Sequence, residues 1–286
     1  MRVERFPAPG TKVHATDFIT VGGGCAANAA VALARLGAHA AFAGPLGGKN
    51  DAVSDRILDG LAAEGIDCSG VVRLDGGSAS VSLILLDAEG EKSIATRRGV
   101  GLGAVLPRDA DALVKDADAL LIDNRFPEFV AAVAQAARSR AIPVVIDLDL
   151  KTTADDPLLA LGTHVIASAE ALRATTGERD FAAGLAKLAA HSGGLLGVTD
   201  GENGVYWREG DLLRHMPAFS VDVVDTLGAG DAFHGAFTLA LVEGRNLLDA
   251  LRFACAAAAL KCTRFGGAAG APRRAEVEAF LKAHSA

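Results

Sequence analysis

No stretch of this 286-residue sequence approaches the roughly 18 apolar residues that crossing a bilayer requires, because charge, Pro or Gly interrupts every run. Runs of Lys or Arg are missing too. With 28 basic and 35 acidic residues the net charge is −7, which argues against nucleic acid as a partner. An acidic balance still admits an anionic small molecule, which needs only a local positive pocket. Cysteine is scarce: Cys25, Cys68, Cys255 and Cys262 lie far apart, with no C-x-x-C pair and no His cluster, so zinc-site spacing is absent. The opening residues, Met1-Arg2-Val3-Glu4-Arg5-Phe6-Pro7, contain no apolar h-region and read as no secretory signal. These absences imply a reducing, cytoplasmic setting with free thiols buried as small hydrophobes. What is present excludes a disordered chain: half the residues are apolar and 22% charged, enough to bury one large domain or two smaller ones.

Residues 25–37 are alanine-rich and end on Gly37, which predicts a helix with a glycine C-cap. Ala40–Ala43 reads as a buried strand and Ala52–Glu64 as a second helix. Residues 71–74, 79–86 and 91–96 are short, β-rich and separated by turn signals at 75–77 and 87–90, which predicts an antiparallel insert over about 71–98. From about residue 109 the pattern becomes strand then helix, repeated. Ala119–Ile122, Pro143–Asp147, Val165–Ala167 and Leu195–Thr199 read as strands. Glu128–Ser139, Ala169–Thr175, Asp180–His191, Asp231–Glu243 and Leu247–Cys262 read as helices. Fully apolar strands between helices predict an α/β fold whose parallel sheet is covered on both faces. Polar residues at the strand ends (Asp123, Arg125, Asp147, Asp149, Thr199) then line its ligand crevice.

The segment Asp225-Thr226-Leu227-Gly228-Ala229-Gly230-Asp231 precedes an apolar helix. Gly228 and Gly230 permit tight turns, and the N–H groups of Ala229, Gly230 and Asp231 at a helix start form an anion site. Asp231 is placed to accept a proton from a hydroxyl aimed at that anion. Taken alone, a glycine turn with Asp231 as N-cap is the simpler reading. The wider pattern reverses it. D-T-x-G-A-G-D before a helix, together with Gly23-Gly24-Cys25-Ala26-Ala27-Asn28 and then Val31–Gly37, resembles the two signatures of the ribokinase-like (phosphofructokinase-B) carbohydrate kinases, from about Val3 to Leu281.

The resemblance implies a single kinase domain over 1–286, a three-layer α/β/α sandwich with a mostly parallel central sheet and a small β-sheet lid. Asp231 corresponds to the catalytic base, and Gly228, Ala229 and Gly230 to the anion hole. Asn28 and the Gly22-Gly23-Gly24 turn correspond to sugar contacts. Thr199, Gly201 and Gly204 match a T-x-G-x-x-G nucleotide pattern. Thr226, Ala258 and Cys262 are further implied nucleotide contacts, the last two within the 254–267 segment where the family binds adenine and often a monovalent cation such as K⁺. ATP and Mg²⁺ are the implied cofactors, and a homodimer through the lid the implied assembly.

One branch looks closer. His215-x-Pro217-Ala218-Phe219, Asp231-x-Phe233-His234-Gly235 and Ala259-Leu260-Lys261-Cys262-Thr263-Arg264 resemble the sulfofructose kinases, which phosphorylate 6-deoxy-6-sulfofructose at its 1-hydroxyl. An anionic substrate needs cations at its far end. Arg125 and Lys12 are candidates, with Arg97 and Arg98 from the lid, each weighed against an exposed surface role. His234 is expected to pack on its helix, and Cys262 to be a core thiol. Two departures shape the expectations. The family's first central strand and its sugar-binding Asp would lie ahead of Val3, so a sheet with exposed strand edges and poor stability is expected. The magnesium-organising N-x-x-E motif is replaced by Ser168-Ala169-Glu170-Ala171, which leaves Asp147 and Asp149 to hold Mg²⁺ through water. A ketohexokinase, fructokinase or ribokinase-type activity on a neutral sugar, and a non-catalytic sugar or nucleotide sensor, are the competing readings.

Overall fold

The chain starts in the lid. In the computed structural model, which describes residues 1–284, strand β1 (Arg2–Val3) pairs antiparallel with β2 (Ala15–Asp17). Helix α1 (Cys25–Arg35) follows, starting after Gly24, whose φ of 102° is open to glycine but strained for other residues. Next, β3 (Gly44–Gly47) and β4 (Val71–Leu74) pair in parallel across helix α2 (Ala52–Ala63). This corrects the expected insert over 71–98. Val71 is buried and Val72 packs against the core cluster that contains Val114 and Ile122, so this strand is apolar on both faces and joins the parallel layer. The lid proper is a four-stranded sheet ordered β2-β1-β5-β6, with β5 (Val81–Leu86) and β6 (Lys92–Arg97) as its hairpin. Residues far apart in sequence thus share one lid sheet. The expected strand at 40–43 begins later, at Gly44, with only an isolated bridge at Ala41.

After α3 (Ala110–Val114), strand and helix alternate: β7 (Leu120–Asp123), α4 (Pro127–Ser139), β8 (Val144–Leu148), α5 (Pro157–Leu161), β9 (His164–Ser168), α6 (Ala169–Thr176), α7 (Phe181–Ala189) and β10 (Leu195–Thr199). β7 to β10 run parallel, and the hairpin β11 (Val205–Glu209)–β12 (Leu212–Met216), with no counterpart among the sequence-read strands, continues the sheet antiparallel. Side chains of Asp109, Asp156, Ser168 and Asp180 accept from backbone N–H groups at the helix starts, satisfying donors that the helices leave free.

Two-residue alternation sets the layers. Val144, Ile146 and Leu148 of β8 point into a core with Phe129 and Val133 of α4 and Leu185 and Leu188 of α7. Val145 points the other way, with Ile166, into a core built on α8 (Ala229–Val242) and α9 (Leu247–Cys262). Helix α10 (Arg274–Ala283) closes that side through Val277. Phe237 of α8 and Phe253 of α9 are fully buried there, each contributing roughly 1.5–3 kcal/mol of apolar transfer.

The parallel layer is in two pieces. β3–β4 and the six-stranded sheet β12-β11-β10-β9-β8-β7 share no ladder among the described residues. A continuous cavity of about 2990 Å³ is lined by residues 41–46 of the first piece and 119–123 of the second. It is also lined by Ala30 and Leu33 of α1 and by Phe129 and Val133 of α4. At its other end the same cavity receives the polar ends of the strands.

Candidate active site

The first turn of α8 sets the site. Gly228 is its N-cap at φ 82°, a left-handed conformation that favours glycine, while a Cβ there would make only ordinary contact with Gly267 at 3.4 Å. Leu227 N–H donates to Asp225 Oδ1, and Ala229 N–H donates to the Thr226 carbonyl at 3.2 Å. This corrects the expected anion hole in one respect: the Ala229 donor is spent on the turn. The N–H groups of Gly230 and Asp231 are left pointing along the helix axis, where the dipole favours an anion.

Asp231 is buried on that turn, and Asn28 of α1 donates to its Oδ2 at 2.6 Å. The helices meet because Gly235, one turn on, lacks a side chain: a Cβ there would lie 2.9 Å from the Ala29 carbonyl and 3.2 Å from the Ala32 methyl. Burial raises the Asp231 carboxyl above its ordinary range, while hydrogen bonds from Asn28 and Cys25 and the nearness of His234 work against that rise. A carboxylate held in this way is a stronger base than one in water. His234, fully packed as expected, turns Nδ1 toward the Gly230 carbonyl at 2.8 Å and Nε2 toward the Ile166 carbonyl at 3.2 Å.

Strand ends supply the remaining wall. Asp123 of β7 accepts from the Ala26 N–H, capping α1 from across the crevice, and from the Arg125 N–H. Arg125 directs Nη2 to Asp149 and to Cys25 Sγ, the latter at 3.2 Å, with Nε 3.9 Å from Asp123; none of these contacts engages Nη1. Asp147 lies beneath, 3.7 Å from the His234 ring. Its burial pushes the carboxyl up to about 7; His234 opposes the rise, and Asp231, Asp149 and Asp123 add to it. Burial and neighbouring carboxylates raise the Cys25 thiol far above its ordinary value, so it stays protonated.

The ligating atoms of Cys25, Asp147 and Asp231 lie within 4.8 Å of one another. For Mg²⁺, a hard cation, the carboxylates suit and the thiol does not. The elevated Asp147 is an oxygen donor short of positive charge and fits a divalent cation; Asp149, which lies outside that group and pairs with Arg125, would join it only by releasing the guanidinium.

Gly23, Gly24, Cys25, Asn28, Arg125 and Asp149 line the cavity with the first turn of α8, as do Thr199, Gly201, Gly204, Thr226, Ala258 and Cys262. Gly204 is needed where it stands: at φ 90°, its Cβ would meet the Met216 carbonyl at 2.2 Å. Lys12, between β1 and β2, and Arg97, on β6, are exposed and outside the cavity wall, whereas Arg98 lines it. Cys25 and Asp225 were missed as site residues; the first stood inside the glycine signature and the second opened the D-T-x-G-A-G-D run.

A family model for pfkB family carbohydrate kinases matches residues 1–274. The ribokinase of Bacillus subtilis is 33% identical over 284 residues, covering 97% of this chain and 94% of that protein. An ATP-dependent ribose-1-phosphate kinase of Halopiger xanaduensis is 31% identical, over 98% of this chain and 93% of its own length. Among solved structures, a candidate ribokinase from Agrobacterium tumefaciens superposes with a TM-score of 0.93 at 33% identity, covering 100% of this chain and 94% of its own. Arabidopsis thaliana ribokinase, solved with ribose and ATP, superposes at 0.83 with 27% identity, over 98% and 94% of the two chains.

Proposed function

The chain belongs to the pfkB family of carbohydrate kinases, and we propose that the sugar it phosphorylates is a ketose-type acceptor with an anionic far end, best represented by 6-deoxy-6-sulfofructose converted to its 1-phosphate. The protein is an ATP-dependent sugar kinase with a ribokinase-like α/β fold. The observation that carries the choice of acceptor is Arg125: its guanidinium stands in the wall beside Cys25 and Asp149 with Nη1 uncommitted and free to donate to a sulfonate or phosphate oxygen.

In this reading Asn28 pins one oxygen of Asp231, and the other takes the proton of the attacking hydroxyl. The Gly230 and Asp231 N–H groups receive the charge of the transferred phosphoryl group, backed by the α8 dipole. Thr199, Gly201, Gly204, Thr226, Ala258 and Cys262 hold the nucleotide. Asp147 and Asp149 would hold Mg²⁺, which supplies charge neutralisation to phosphate oxygens when bound. Gly23, Gly24 and Asn28 hold the sugar, and Lys12 and Arg97 reach the anionic end only if the lid folds inward. On the lid hairpin Val81 and Leu83 share one face at 44% and 49% exposure, Ile94 pairs with Ile84 on the other at 48%, and a second copy of the chain covers the Val81 and Leu83 face.

The second reading is a neutral pentose or hexose. It is favoured by the carboxylates of Asp149 and Asp123, which already offset the Arg125 charge. ADP release with Mg-ATP across sulfofructose, fructose, fructose phosphates, ribose and a nucleoside separates the two. Turnover should be greatest on sulfofructose and should fall by on the order of 10³-fold or more in Asp231→Asn. In Arg125→Ala the KM for sulfofructose should rise at least about tenfold with kcat less affected. Equal turnover of ribose by wild type and Arg125→Ala would replace the anionic acceptor with the neutral one.

A further inference from the structure

Helix α9 is mostly Leu, Ala, Phe and Cys, with Asp249 and Arg252 in its first half, and its next-to-last residue is a lysine with no exposed surface at all. An ammonium taken out of water costs several kcal/mol unless oxygens replace its hydration. Lys261 Nζ donates to the Asp225 carbonyl at 2.6 Å and to the Arg264 carbonyl at 3.3 Å, and lies 3.5 Å from Asp225 Oδ2. These oxygens come from two segments. One is the turn that runs from Asp225 into the anion hole at Gly228. The other is the loop after α9, from Arg264 to Gly267.

The same two segments are tied at several further points. Asp225 Oδ2 accepts from the Gly266 and Gly267 N–H groups, and the Val224 and Asp225 N–H groups donate to the Cys262 carbonyl. They run side by side at Gly228 and Gly267, where a Cβ added to Gly228 would touch the Gly267 backbone, beside the helix start that receives the phosphoryl charge. Burial tends to raise the Asp225 carboxyl, but its backbone donors and Lys261 outweigh that and hold it below its ordinary value. Burial lowers Lys261 from its ordinary value, and Asp225 opposes the fall.

Carbonyl oxygens and one carboxylate gathered around a small space form the donor set that a hard monovalent cation takes. Here the space is filled. A K⁺ ion at those oxygens would overlap Nζ and face a second positive charge a few ångströms away, so the residues present do not fit the monovalent cation expected for the 254–267 segment. We propose that the Lys261 ammonium is a covalently tethered substitute for that cation, a positioning residue that fixes the two loops of the anion hole and makes phosphoryl transfer independent of K⁺. The proposal rests on phosphoryl transfer at Gly228–Asp231 and not on which acceptor is phosphorylated.

The test compares wild type, Lys261→Ala and Lys261→Met in buffers whose only other monovalent cation is tetramethylammonium, with KCl or NH₄Cl added at constant ionic strength. Wild-type ADP release on the best acceptor should change less than about twofold on adding K⁺, and its Tm should not respond. Lys261→Ala should lose on the order of 100-fold in kcat, since an electrostatic support of the phosphoryl site is gone. K⁺ or NH₄⁺ should restore at least about tenfold of that and raise its Tm, saturably, because the truncation opens a cation-sized space ringed by the same oxygens. Lys261→Met, which fills the space without charge, should show neither rescue.

The proposal is overturned if K⁺ activates wild type more than about fivefold, or if Lys261→Ala keeps full activity without added cation. It is also overturned if Lys261→Ala folds and responds to neither K⁺ nor NH₄⁺ in rate or Tm. Should Lys261→Ala not fold, the response of wild type to K⁺ decides alone. Should wild type turn over no acceptor in the panel, the proposed acceptor falls, while the Tm responses of wild type and Lys261→Ala to K⁺ still decide the role of Lys261.

Discussion

Asp231 and Asp147 are raised by the same cause, burial, yet their neighbours give them different work. Asp231 keeps a donor, Asn28, that favours its charged form, so it is available as a base. Activity should therefore rise with pH as Asp231 deprotonates and fall away on the acid side. Asn28→Ala removes a contact that lowers the pKa, so the acid limb of kcat/KM should move to higher pH and kcat should drop about tenfold; a limb that stays in place would detach Asn28 from the base. Asp147 has a folded value of about 7 against an ordinary 3.8, so the folded state binds its proton more tightly than the unfolded chain does. Its contribution to stability is complete below about pH 4 and is lost as pH rises through about 7. Without a divalent cation, the Tm of wild type should fall over that window more steeply than that of Asp147→Asn. Mg²⁺ at pH 8 should raise the Tm of wild type and have a smaller effect on the variant.

At the scale of elements, the site depends on how closely α1 and α8 approach, because one carries Asn28 and the other Asp231. Gly235 sets that distance. Gly235→Val would force the helices apart by more than a hydrogen bond tolerates, and kcat should fall by about 10- to 100-fold while the nucleotide KM changes little. Retention of full kcat in a folded variant would mean that the helices tolerate separation. Such a contact is invisible to periodicity: Gly235 reads as an ordinary small residue in an apolar helix. Element ends were different. Helix Leu247–Cys262 and strand Leu195–Thr199 match their sequence boundaries because a capping Asn246 and a terminal Thr199 are local signals.

At the scale of the molecule, the lid is a sheet assembled from residues 2–3, 15–17, 81–86 and 92–97, and Val81 and Leu83, on one face of its hairpin, are exposed without a cover. If a second copy supplies it, Leu83→Asp should convert a dimer to a monomer in sedimentation velocity while leaving the Tm of each protomer within a few degrees. A monomeric wild type would remove the lid interface. The parallel layer has the opposite need, since β3 and β7 face each other across a cavity with no ladder between them.

The sequence alone determined the fold class and the glycine turn, and it nominated Asp231 and Asn28 through the two signatures they belong to, because each signal rests on order and spacing within a few residues. A two-residue alternation, a helix start and a D-T-x-G-A-G-D run are all local, and local geometry follows from local dihedral preference. Only the tertiary structure decided that β4 belongs to the parallel layer and that β1 belongs to the lid. It also decided that Ala229 spends its donor on the turn, and that Lys261 places its charge among the oxygens of two loops. Pairing, burial and the company a charge keeps are set by segments tens to hundreds of residues apart. The free energy of a buried charge depends on those distant neighbours and not on the residues beside it in sequence.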